Sequence, residues 1–208
     1  MLGKTEDAPV KEQIDQALDG FAANVETHLN KIRRVRHEME KAGDQDLVAV
    51  ANLVQFMELF ILDFTFICMD HSDGRHKWRQ GLYGRIISLM IVECFEDFGE
   101  LLAGKLRTTI NSLDYAPSVL TNLGTLHGDL HQLRTRHEST LREIRNNVFG
   151  HRDHNAAHQI EMMESLDRTR LVRVQRDLMK WLLQLQDFLY TLVKPLPGFV
   201  KSRRSQRT

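Results

Sequence analysis

Residues 47–69 read LVAVANLVQFMELFILDFTFICM, and the nature of this stretch decides the fold. It is apolar on nearly every side and long enough to cross a bilayer, which takes about 20 residues. Asn52, Gln55, Glu58 and Asp63 interrupt it, and a carboxylate at membrane depth is costly. A helix of this kind belongs inside a helical bundle. Phe56, Phe60, Phe64 and Phe66 are then expected to pack the core. The helix should run over about 46–70, with Asp46 as its cap.

The neighbouring stretches agree with a bundle. Upstream, Ile14, Leu18, Phe21, Val25, Leu29 and Ile32 recur at spacings of three and four, one apolar stripe on an otherwise charged helix. Pro9 suits its first turn, and Gly43-Asp44 ends it. Downstream, His71-Ser72-Asp73-Gly74 signals a turn. A third helix follows over about 77–112, with Glu93, Glu96, Asp97 and Glu100 forming a solvated edge. After Asp114-Tyr115-Ala116-Pro117, Val119, Leu123, Leu126, Leu130, Leu133, His137, Leu141, Ile144 and Val148 make one long stripe over 118–149. A short helix or turn is expected over 159–166. The last helix, over 167–193, turns Leu171, Val174, Leu178, Trp181, Leu182, Leu185, Phe188, Leu189 and Leu192 inward, and Lys194-Pro195-Leu196-Pro197-Gly198 stops it. No strand pattern or internal repeat occurs. The expected fold is an all-α, up-down bundle of about five helices. Residues 1–9 would be a loose tail, 10–198 a single domain, and 199–208 a basic tail ending KSRRSQRT.

The 208 residues suit one sizeable domain. With 28 basic and 28 acidic residues the net charge is zero, so no global field steers the chain to nucleic acid or membrane. Any attraction to polyanions must be local. Cys68 and Cys94 lie in apolar runs and read as buried free thiols of a reducing compartment. No Cys-rich zinc spacing occurs. The polar N-terminal residues MLGKTEDAPVKEQ hold no secretory core, so a cytoplasmic, non-membrane location is expected.

Residues 141–158, LREIRNNVFGHRDHNAAH, carry the chemistry. Arg145-Asn146, four residues and then His151 straddle a helix break at Gly150. An arginine fork suits a phosphate, and an imidazole can pass protons near neutral pH. Together they could cleave RNA without a cofactor, the histidine managing the 2′-hydroxyl or leaving-group proton and the guanidinium holding charge on the phosphoryl oxygens. On an intact helix the two lie roughly 9 Å and about 120° apart. The break at Gly150 can bring the histidine round, or a two-fold dimer can bring two such helix ends together. Arg134, Arg136, Arg142, Arg145 and Arg152, with Arg168, Arg170, Arg173 and Arg176 on the last helix, would form a local phosphate footprint. Arg136, Arg142 and Arg152 are the expected RNA contacts. A second match to the spacing overlaps the first, Arg152-Asp153 and then His158. Arg145 is preferred because it closes a long periodic helix.

The string LREIRNNVFGHRD, at the end of a long helix in an all-helical chain of this size, resembles the HEPN superfamily, and within it the abortive-infection branch. The specific likeness covers some 13 residues. It implies a metal-independent endoribonuclease that acts as a homodimer on single-stranded RNA, in toxin–antitoxin or antiphage systems with an antitoxin or effector partner. Under that resemblance Arg145 binds phosphate, Asn146 positions it and His151 is catalytic. Some members carry a tyrosine two residues after the histidine for modification by a partner; here Asp153 stands there, so that regulation is not expected. Many members are inactive nucleotide- or protein-binding modules, which is the main alternative. The other is a metal site, since His151, His154 and His158 would share one face if 151–158 were helical. His127 and His131 read as surface residues near a bundle seam, and His137 as a satisfied core histidine.

Overall fold

The structure is a computed structural model that describes residues 8–72, 77–113, 115–149 and 168–198, with side chains described for 16–69, 80–113, 115–140 and 169–198. These residues form five helices and no strand. Helix α1 is Ala8–Lys41 and α2 is Gln45–Ser72. Helix α3 runs Lys77–Glu93, passes through two π-helical turns, Cys94–Phe98 and Leu101–Lys105, and finishes with Leu106–Asn111. Helix α4 is Pro117–Phe149 and α5 is Arg168–Val193. The all-α bundle read from the periodicity is therefore observed.

Helices α2 to α5 form the bundle proper. Each packs against its successor, α5 closes back onto α2, and α1 lies along the outside of α2. The ties between α4 and α5 are antiparallel. Tyr115 donates its hydroxyl to the Leu192 carbonyl at 2.7 Å, and the Trp181 indole donates to the Leu126 carbonyl at 3.0 Å. The connections over 42–44 and 112–116 are short, which favours antiparallel neighbours there. Phe98 sits at the centre, its ring edge-on to Phe56 and Phe60 and tilted against Trp181.

The start of α2 differs from the expected cap. Gly43 has φ 68°, and the Asp44 amide reaches back to the Met39 carbonyl while Gly43 bonds Glu40. Those two bonds form a Schellman close, which glycine favours. Asp44, not Asp46, then caps α2: its carboxylate accepts the Leu47 amide at 3.2 Å.

The expected fate of the phenylalanines also needs correction. Phe64 is fully buried and Phe60 packs partly buried against the core, but Phe56 and Phe66 are exposed. Helix α2 is the one helix among the described residues long and apolar enough to cross a membrane, and half of that span is buried by the rest of the bundle. The π turns were not foreseen. The buried positions Phe98, Leu102, Leu106 and Ile110 repeat every four residues, which on a 3.6-residue helix drifts by about 40° at each step. Wider turns absorb that drift and keep one face inward.

Candidate functional site

Helix α4 carries the preferred motif to its end. Its backbone is helical through Phe149, the last described residue before His151. Arg145 and Asn146 lie on its last turns, and Arg142 one turn earlier. Their side chains lie outside the described residues, as do His151, Arg152, His154, Asp153 and His158. The expected pairing of Arg145 with His151, the overlapping pair Arg152 and His158, and the three-histidine metal alternative all fall there.

Arg136 is described, and it faces the α4/α5 seam. It is exposed beside a groove of about 260 Å³ that Gln132, Asp177, Lys180 and Gln184 also line. Arg134 lies in another groove, of about 440 Å³, between α3 and α4, with Glu96, Glu100, His127 and His131. Two residues along an ideal helix turn through about 200°, which is why neighbours in sequence serve opposite sides. These two arginines of the expected footprint thus lie in different grooves, and each groove contains carboxylates. Arg173 and Arg176 are exposed on α5, and Arg176 lies 3.6 Å from its neighbour Asp177.

His137 is buried on the α4 stripe, with Nε2 3.1 Å from Asp177 Oδ2. It is the satisfied histidine expected from its position. Partial burial works to raise the Asp177 pKa, but the His137 hydrogen bond and the charges of His137, Arg176 and Lys180 outweigh it and hold the carboxyl below its ordinary value.

No family model matches the chain, and no curated protein or solved structure is recognisably similar to it.

His127 is half-buried and His131 exposed. With Glu96 and Glu100 across the groove they form two i,i+4 pairs, yet no three His, Cys, Asp or Glu side chains among the described residues meet at metal-binding distance. One buried polar pair had no sequence signal of its own. His28 Nδ1 lies 2.7 Å from Glu58 Oε1 where α1 crosses α2, and the His28 ring lies 3.9 Å from that of Tyr190 on α5. Glu58 Oε2 is buried without a partner. Glu58 is visible in the sequence only as an acid in an apolar run, and its partner lies 30 residues away. The arrangement ties three helices together. Cys68 and Cys94 are buried free thiols, as read; burial pushes the Cys68 pKa up to about 12, against a hydrogen bond with Gln175, and burial followed by the nearby Asp97 charge pushes Cys94 up as well.

Proposed function

We propose that this chain is a HEPN-type, metal-independent endoribonuclease that cleaves single-stranded RNA at a site built where two copies bring their α4 ends together. The observation that supports the reading is the place of the motif: Arg145-Asn146 lie on the last described turns of a 33-residue helix of an all-α bundle, and His151 follows two positions beyond Phe149 in the sequence. The 2′-hydroxyl attacks the adjacent phosphorus and the 5′-oxygen leaves, giving a 2′,3′-cyclic phosphate and a free 5′-hydroxyl. His151 manages the transferred proton. Arg145 holds the charge that builds on the non-bridging oxygens, and Asn146 positions the phosphate. Arg136, Arg142 and Arg152 bind flanking phosphates. The biological setting is a cytoplasmic toxin or antiphage effector held in check by a partner protein.

The test is cleavage of single-stranded RNA by purified protein in excess EDTA. Loss of the proton-transfer group costs about 10²–10⁴-fold, so His151→Ala should fall by that range, and Arg145→Ala by about 10²–10³-fold, with cyclic-phosphate ends on the wild-type products. Abolition by EDTA transfers the assignment to a metal held by His151, His154 and His158. Absence of cleavage under every condition leaves a non-catalytic binding module, a second reading favoured by the exposed apolar side chains of α2 and α3.

A further inference from the structure

Those side chains define a face. On α2, Phe56, Leu59 and Phe66 are 45%, 50% and 42% exposed; on α3, Leu82 and Leu89 are 46% and 37% exposed. Phe56, Leu59, Asp63 and Phe66 step by threes and fours and so share one stripe, as do Leu82, Arg85, Leu89 and Glu93. The first stripe meets the end of the second at a groove of about 490 Å³, which Phe56 of α2 lines together with Asp97, the residue four past Glu93 on α3. At roughly 200 Å² for a large side chain, the five exposures leave on the order of 400 Å² of apolar surface. A standard interface takes about 800 Å² per partner, a little over half of it apolar. One such face supplies most of the apolar area that a stable contact requires.

Charge chooses the occupant. The stripe on α3 changes sign along its length: Arg85 precedes Leu89, whereas the exposed carboxylates Glu93 and Asp97 follow it at steps of four. Arg85 is half-buried, and its Nε is buried without a hydrogen-bond partner. Arg85 and Glu93 lie four residues on either side of Leu89. A two-fold axis through Leu89 therefore sets Arg85 of each copy opposite Glu93 of the other, and Leu89 against its own counterpart. A bilayer surface is disfavoured, because Asp63, Glu93 and Asp97 would face it. We propose that the α2/α3 face is an isologous interface at which a second copy of this chain packs antiparallel. This surface is separate from the α4 end and does not rest on the ribonuclease assignment.

The test is the mass of the full-length chain by sedimentation equilibrium at tens of micromolar, with circular dichroism to verify folding. The wild type should weigh at least twice the 24.2 kDa chain. Arg85→Glu should halve that mass, as should Leu59→Glu, while Arg85→Glu combined with Glu93→Arg should restore it, because the swapped pair regains its complement. A monomeric wild type overturns the proposal, even if it floats with phosphatidylcholine vesicles. So does an oligomer whose mass none of the folded variants changes, since its contacts then run through another surface. RNA cleavage is not a readout here: a monomeric wild type also denies the catalytic proposal its dimer, an oligomer unmoved by these variants overturns this proposal alone, and uncut RNA beside a mass that falls with Arg85→Glu overturns the catalytic one alone.

Discussion

At the scale of single residues, buried polar groups set the most specific expectations. The Asp177 carboxyl is held below its ordinary value of 3.8, so its ionised form is favoured by the fold. That stability is present while the unfolded chain's carboxyl is ionised, and it is lost as the pH falls through the carboxylate range. Asp177→Asn should therefore lower the unfolding midpoint near pH 6 and flatten its decline between about pH 5 and pH 3, measured by thermal melts across that range. The His28–Glu58 pair is more sensitive. Removing one partner of a buried hydrogen bond leaves the other unsatisfied and costs about 1–3 kcal/mol, so His28→Ala should unfold at clearly lower denaturant than wild type. Replacing both, His28→Leu with Glu58→Leu, should recover much of that loss, because the unpartnered Glu58 oxygen goes with it. Cys68, with its pKa near 12, should stay unreactive to thiol reagents at neutral pH until the bundle opens.

At the scale of elements, the stripes of α4 and α5 were legible in the sequence, because every inward position there follows threes and fours around one contiguous side. Helix α3 was less so. Its rhythm changes to a run of fours at Phe98, Leu102, Leu106 and Ile110, and that change was the available signal for π turns. The consequence is measurable. A π turn holds one residue more than an α turn, so deleting Gly104 should convert the second π turn to α-helix and leave Leu106 and Ile110 facing inward, with a melting temperature near wild type. Deleting Gly128 from regular α4 should rotate every later position by about 100° and abolish folding. The fates of Phe56 and Phe66 were not legible for another reason. A helix apolar on all sides does not declare which side its neighbours leave open, and here α1, α3 and α5 cover the rest. Asp44 outcompeted Asp46 as the cap because the Schellman close at Gly43 fixes where α2 can begin.

At the scale of the whole molecule, the net charge is zero and Arg134 and Arg136 do not share a groove. Arg134 and Arg136 were read as one footprint, since spacing in sequence says nothing of which helices flank α4. The structure sends them to the grooves with α3 and α5 respectively. Each phosphate contact on a single strand contributes about 0.7 to the slope of log affinity against log salt. If Arg136 is a phosphate contact, Arg136→Ala should reduce the slope for single-stranded RNA by about that amount, read from binding isotherms at several salt concentrations. An unchanged slope would remove Arg136 from the RNA surface and leave the α4/α5 groove to structure alone. The Arg145-Asn146 and His151 string is a reading of the sequence alone, since those side chains lie outside the described residues.

Trp181 has a use of its own. The chain has only two tryptophans, and this one is buried against Phe98 with its indole committed to a carbonyl of α4. Replacing Trp78 with phenylalanine would leave one fluorophore at the centre of the bundle. Its emission would be blue while the bundle is closed and would shift red as water enters, giving a label-free optical report of whether any substitution above has loosened the interior.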